Sequence, residues 1–568
     1  MKTKLFLFAT LRTSGICFTQ SPSNIPDIKE KPKMHFPRTA VLFALLVCLA
    51  AASASATTIN FASLQAKPPD GSVPGALMAG TVYTQAGFAI GSCCAGGFDV
   101  WKLGNPNFPG TSSSATSLFE MPIKGNATSI TYKNGMPFTL DSIDFAPLLS
   151  GGSGPFSIIV AGDFGDGSSI TQTVWVNTSP NKLQTFKFTG FINVLAVNFL
   201  QGTTAGYFTG QETAYQFNNI VVNNKYVNGV SGNDSNNCLS AQTACKTIGH
   251  AISLASSGDS LMVAAATYQE HLTIGISVNV LGAAASTTIV DGGGVATVVS
   301  VSAHVTLSGL TIRNGSSSSG GGIYNSGSLA VNNSAITGNH VSACGGGIGN
   351  KGTLTINSST ISGNSASMNG GGICQTGGTL TINRSTISGN SASVDGGGIS
   401  QTGGTLAINN STISGNGASN AGGGVITQTG GTLTISNGTV SGNSAPLGGG
   451  GIDNTGTATL QNSIVANNSG GNCSGSVTSK GYNLDSDSSC NFHNSGDLNT
   501  DPMLGTLGKN GGPTQTIPLL AGSPAIDAGN PNGCTDNKGT LLKIDQRGQP
   551  RPNKGETGCD MGAYESQN

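Results

Sequence analysis

Gly377–Ser393 reads GGTLTINRSTISGNSAS, and 26 residues later Gly403–Ser419 reads GGTLAINNSTISGNGAS. Working outward from this pair, apolar triples of the form x, x+2, x+7 recur at Val305/Leu307/Ile312, Leu329/Val331/Ile336, Leu354/Ile356/Ile361, Leu380/Ile382/Ile387, Leu406/Ile408/Ile413 and Leu433/Ile435/Val440, then Ala458/Leu460/Val465. The first members of the first six step by 24, 25, 26, 26 and 27 residues. A spacing of two turns alternate side chains inward on a strand, and the gap of five holds Asn, Ser or Gly, which favour a bend. A helix needs apolar residues three and four apart, which these strings do not supply. A second turn recurs as GGGI at Gly320–Ile323, Gly345–Ile348, Gly370–Ile373 and Gly396–Ile399, its Ile a further inward position. Each coil of about 25 residues therefore holds three short strands, and stacking the coils predicts a parallel β-helix. Nine or ten coils predict a rod of about 45 Å.

Composition agrees with such a ladder. The chain has 568 residues, 86 Gly, only 9% charged and 6% aromatic residues, and a formal net charge of −1. That excludes a nucleic-acid binder built on a basic patch and a coiled coil of Glu and Lys. The glycines do not recur every third residue, which excludes collagen. Asn339, Asn364, Asn390, Asn416 and Asn443 fall at one place in successive coils, so their amides are expected to stack as a structural ladder.

The stretch from Met34 to Ala56, MHFPRTAVLFALLVCLAAASASA, has the charged start, apolar run and small-residue end of a secretory signal, with residues 1–33 an extension before it. Without residues 1–56, which carry seven of the 25 basic and two of the 26 acidic residues, the net charge is near −6. No later stretch has the length and apolarity of a transmembrane segment. The predicted chain is exported, to the medium or the outer cell surface. Export permits disulfides, and close sequence pairs suggest Cys238 with Cys245, Cys473 with Cys490, and Cys534 with Cys559. Cys93, Cys94, Cys344 and Cys374 stay unassigned.

Residues 57–224 differ from the repeat: alternation in SITYKNG, PFSIIVAG, ITQTVWVN, LQTFKFTGF and VLAVNFL predicts antiparallel strands and a β-sandwich. Residues 225–470 are expected to form the β-helix. Its first coil is covered by a short helix in Cys245–Asp259, where Ile248, Ile252 and Ala255 have helical spacing. Residues 471–568 carry more charge and two disulfide candidates, and are expected to cap the far end.

Three resemblances cover roughly residues 226–565. The segment from Tyr226, YVNGVSGNDSNNCLSAQTACKTIGHAISLASSGDSLMVAAATYQEHLTI, resembles the start of bacterial right-handed parallel β-helix proteins of the pectin-lyase-like superfamily. The GGGI and STISGN strings resemble the repeats of polymorphic outer membrane proteins. The ending, with GYNLDSDSSC, DLNTDPMLGTLGKNGGPTQTIPLLAGSPAIDAG, DQRGQPRP and CDMGAYE, is similar to the choice-of-anchor Q domain. Together they imply an exported bacterial surface or secreted protein. The amino-terminal strands resemble jelly-roll domains of the carbohydrate-binding kind.

Many proteins with the resembled fold cleave acidic polysaccharides, which needs a carboxyl pair, or calcium held by acidic groups with a basic proton acceptor. Between Val301 and Gly450 the one acidic residue is Asp395, so neither arrangement is available in the central coils. Glu270, His271, Asp291, His304, Arg313, His340 and Arg384 are scattered, and none is assigned a catalytic role. Arg313, following inward Ile312, is expected to point to solvent. Asp163 and Asp166 in GDFGDGSS suit a turn better than a calcium site, and no metal or other cofactor is expected. Outward ranks His304, Ser328, Thr353, Thr379, Thr405, Thr432, Thr457 and Thr306, Ala330, Thr355, Thr381, Ala407, Thr434, Thr459 resemble ice-binding surfaces, although Thr suits any solvent-facing strand. Trp101 and Trp175 are candidates for stacking on sugars. The expectation is a non-enzymatic protein of adhesion or extracellular carbohydrate or surface binding. The alternatives are a polysaccharide lyase or glycoside hydrolase, and a passive envelope or matrix component.

Overall fold

The computed structural model describes residues 224–428, 430–553 and 558–567, and between 57 and 222 it describes the strands with some adjoining residues. The signal-like stretch, the extension before it, Cys93, Cys94, Asp166 and the Trp101 side chain lie outside the described residues.

Among the described residues the chain is all-β apart from one short helix. Its larger part is a parallel β-helix with three faces. Face A has eleven strands, from Asn224–Val227 and Ser260–Val263 to Thr457–Gln461 and Thr478–Ser479. Face B also has eleven, from Ala266–Gln269 to Leu498–Asn499, and face C has nine, from Leu272–Ile274 to Cys473–Gly475. Ten strand spacings make the rod about 48 Å long. Five short strands, from Ser316–Ser319 to Gly417–Ala418, form a further sheet between faces B and C.

The repeat sets the register. Leu329, Leu354, Leu380, Leu406 and Leu433 pair in succession on face A, and Ile336, Ile361, Ile387, Ile413 and Val440 on face B. With Ile323, Ile348, Ile373, Ile399, Val425 and Ile452 from face C they fill one continuous buried core. Like residues stack on like, so each coil repeats the packing of the previous one. Glycine is required where coils close on each other: a Cβ on Gly371 would sit 2.3 Å from the Ser391 carbonyl oxygen and 2.6 Å from that of Gly397.

The corner between face B and the small sheet is held by amides. Asn339 Nδ2 donates to Asn364 Oδ1 at 2.9 Å, and the same contact links Asn364 to Asn390, Asn390 to Asn416, and Asn416 to Asn443. It continues through Asn468 to Asn472. These amides are buried, and each from Asn339 to Asn468 bonds the carbonyl of a residue in the preceding coil, as Asn364 does Ile336 O at 2.9 Å. A corner that would strand polar backbone in the interior is thereby satisfied.

The helix, Ile248–Ser253, is capped by Thr247 and lays Ile248 and Ala251 over the first coil. Beside it lies the disulfide Cys238–Cys245. At the far end Phe492 and the disulfide Cys473–Cys490 close the core. The rest of the carboxy-terminal region runs beside the coils. From about residue 503 the chain returns along the side of the rod and covers face B from Thr386 onward. Thr386 Oγ1 donates to Gln515 O, Thr412 Oγ1 to Gln546 Oε1, and Ala563 N to Thr439 Oγ1. Thr386, Thr412 and Thr439 are buried, whereas Thr360, one coil earlier, is half-exposed. The Thr side chains of these strands give the arm's irregular backbone hydrogen-bond partners along the side of the rod.

Before the β-helix, two antiparallel sheets of seven and six strands pack as a sandwich. Phe145 and Phe217 from one sheet meet Phe199 from the other, ring centroids 5.3 Å apart and edge-on. Thr139 Oγ1 lies 2.9 Å from Ser260 Oγ on the first full coil.

Candidate functional site

The reactive candidates of the early coils are engaged in holding the fold. Glu270 accepts from the N–H groups of Ile248 and Gly249 at 2.8 and 2.7 Å, tying the first coil to the start of the helix. Burial pushes its carboxyl above the usual carboxylate range, against those two donors. His271 is exposed, with Nδ1 3.0 Å from Thr297 O. Asp291 accepts from Gly293 N, Arg313 Nε and Asn314 Nδ2 at 2.8–3.0 Å. Burial alone would raise its carboxyl, but these donors and the Arg313 charge hold it below the usual range. Arg313 does lie on the outer side, yet it is pinned to Asp291 with its side chain 40% exposed, so solvent is only part of its surroundings.

The remaining candidates do not converge. His304 heads an exposed rank on face A. His340 Nδ1 lies 2.9 Å from Ser365 Oγ at an exposed corner. Arg384 holds a left-handed backbone, φ 47°, and its carbonyl accepts from Thr514 Oγ1. Asp395 accepts from Ala421 N at 3.2 Å in the loop before a GGG turn. Asp163 accepts from Asn198 Nδ2 at 2.6 Å. Among the described residues no three His, Cys, Asp or Glu side chains gather where they could hold a metal ion.

Two surfaces carry exposed side chains. On face A the ranks His304, Ser328, Thr353, Thr379, Thr405, Thr432, Thr457 and Thr306, Ala330, Thr355, Thr381, Ala407, Thr434, Thr459 run in unbroken register, the first mainly exposed, the second half-buried, and buried at Thr306 and Ala407. On the sandwich, Ser169–Val176 is an edge strand whose exposure alternates, Val174 and Val176 turned inward and Thr171, Thr173 and Trp175 outward. Trp175 is 49% exposed. No protein-family model matches the chain, and no curated protein matches it. Solved structures that align with parts of it include two carbohydrate-active enzymes. The arabinose-bound α-L-arabinofuranosidase MgGH51 is 12% identical over 30% of each chain, with a TM-score of 0.18. The catalytic unit of a thermostable GH87 α-1,3-glucanase from Streptomyces thermodiastaticus strain HF3-3 is 13% identical over 74% of this chain and 99% of its own, with a TM-score of 0.19. Likenesses at that level carry no argument about activity.

Several organising residues escaped the sequence reading. A second amide ladder runs along the outside of face A, with Asn357 donating to Asn332, Asn383 to Asn357, and Asn409 to Asn383 at 2.9–3.0 Å. Its signal was the Asn that closes VN, TIN, TIN and AIN in register. Next to it, left-handed Asn410, Asn437 and Asn462 donate to Ile544 O, Thr535 O and Asp560 O and so anchor the returning arm. The arm itself is organised by Arg551, buried, whose guanidinium bonds Glu565 Oε2 and Asn410 Oδ1 at 2.7 Å. The motif residues of DQRGQPRP and CDMGAYE thus meet in one buried network. Cys344 and Cys374 form a disulfide, as do Cys534 and Cys559.

Proposed function

We propose that the chain is an exported, non-catalytic β-helix rod that binds carbohydrate at an extracellular surface, with the sandwich as its binding element. The observation that carries this reading is Trp175, half-exposed on the outer side of an edge strand, following the hydroxyl-bearing Thr171 and Thr173. A large aromatic left in water on a β-face offers an apolar plate to the C–H face of a sugar, while Thr171 and Thr173 can hydrogen-bond its hydroxyls. Export is supported by four disulfides, which persist in oxidising compartments, and by the signal-like stretch. Among the described residues no helix is long and apolar enough to cross a membrane. The non-catalytic part is supported by the engagement of Glu270, Asp291 and Arg313 in fixed structural bonds.

The test is binding of the purified secreted chain to a panel of plant and bacterial polysaccharides, with Trp175→Ala alongside. At least a tenfold loss of affinity for the best ligand is expected, with unchanged thermal stability because the ring is outside the core. Binding unaffected by the substitution refutes the assignment to Trp175. Release of reducing ends or unsaturated uronate, with or without calcium, refutes the non-catalytic reading. No binding at all leaves the passive envelope component.

A further inference from the structure

The most unusual buried group in the described chain is a lysine. Lys225 lies on Asn224–Val227, the first strand of face A, and pairs across to Leu261. It stands in the inward rank that continues as Leu261, Val280 and Leu307, where each later coil as far as Leu460 places an aliphatic side chain. Its Nζ is 3.1 Å from Oδ2 of Asp259, and the two side chains are 2% and 3% exposed. Ser256 N donates to the same Oδ2 at 3.0 Å.

We propose that Lys225 and Asp259 become joined by an isopeptide bond. An ammonium and a carboxylate withdrawn together from water carry a desolvation cost that their attraction repays only in part, whereas the amide formed from them is neutral. Fixed contact between amine and carboxyl replaces an encounter in solution, and such placement is worth effective molarities of about 10⁵–10⁸ M. The step balances without a co-reactant. A proton passes from Nζ to the carboxylate, and Nζ attacks Cγ while Oδ2 is held by the Ser256 N–H. The Cγ–Oδ1 bond then breaks, and Oδ1 leaves as water with two of the three ammonium hydrogens. One hydrogen remains on the new amide nitrogen.

The bond closes the chain around the Cys238–Cys245 disulfide and the capping helix. It would staple the strand that follows the sandwich to the first full coil, so that tension on the sandwich bypasses the loop and helix between Lys225 and Asp259.

The experiment is mass spectrometry of the full chain after denaturation and reduction. Relative to Lys225→Arg, corrected for the side-chain difference, the wild type is expected to be lighter by one water molecule. Proteolysis is expected to yield a branched peptide joining Lys225 to Asp259. The full mass in a folded wild-type protein overturns the proposal, as does loss of water that maps to other residues. The wild-type result decides the matter even if the variant fails to fold.

Discussion

Asn390 and Asn383 lie in the same coil, seven residues apart, and each belongs to an amide ladder, yet substituting them should have very different effects. Asn390 is 1% exposed. Its Nδ2 donates to Asn416 Oδ1 and Ile361 O, and its Oδ1 accepts from both Nδ2 and backbone N–H of Asn364, all at 2.9–3.0 Å. Asn390→Leu keeps the volume but deletes these four bonds, and leaves the Asn364 N–H without this acceptor and Ile361 O without this donor. Each buried group so stranded costs about 1–3 kcal/mol, which puts the loss at about 2–6 kcal/mol. Asn383 donates to Asn357 where the rank is half-exposed and water can replace it, and accepts from Asn409, which is buried but keeps a second acceptor in Asn537. Asn383→Leu is therefore expected to cost about 1 kcal/mol or less. Guanidinium unfolding followed by far-ultraviolet circular dichroism measures both, and hydrogen exchange of the flanking coils locates the damage. Equal losses in the two variants, or less than about 1 kcal/mol at Asn390, would refute the claim that the inner ladder holds the corner.

Two carboxylates of the early coils should titrate with opposite sign. Burial raises Glu270, so the stability it contributes is full below the ordinary carboxylate pKa and is lost as pH rises through its elevated value; the margin of wild type over Glu270→Gln should shrink with rising pH. Asp291 is depressed despite burial by its hydrogen-bond donors and Arg313, so its contribution is present above the ordinary value and lost as pH falls through the lowered one; the margin over Asp291→Asn should grow with pH. Denaturation midpoints between acid and neutral pH check both slopes, and slopes of one sign would contradict the assignment. Arg551→Ala strands the Glu565 carboxylate in the interior and removes the anchor on Asn410, at a cost of about 3–5 kcal/mol. Limited proteolysis should then cut the returning arm while the coils before Thr386 stay protected; equal cleavage of both parts would argue against a separately anchored arm.

The β-helix was legible because one period carries both inward positions and bends: the triple at Leu380, Ile382 and Ile387 already implies a strand, a corner and a second strand. The inner Asn ladder was legible for the same reason. The outer ladder through Asn332, Asn357, Asn383 and Asn409 was equally periodic but sat at a strand end, where Asn is ordinary and invites no question. The arm's path along face B was not legible, because its contacts join residues about 70–160 apart through bonds such as Gln461 to Thr535 and Gln546 to Thr386, and no period marks them. Cys344 and Cys374 occupy different points of adjacent coils, and the structure brings them together because the small sheet folds back over face C. Lys225 gave a local signal, a charge alternating with Val227, but its inward rank is defined only once strand Ser260–Val263 is laid beside it.

The arm touches the coils from Arg384 onward, and the sandwich meets the first full coil at Ser260. Between them the coils from His304 to Gln375 are bound to neighbours above and below mainly by a uniform register. A tandem duplication of one repeat there would move the arm and every coil it grips as a single body, breaking none of its bonds. Length is thus the one dimension of this molecule that gain or loss of a whole coil between His304 and Gln375 can alter at almost no structural expense. Chains of this design from related lineages should differ chiefly in reach, by whole coils, while keeping the same two ends.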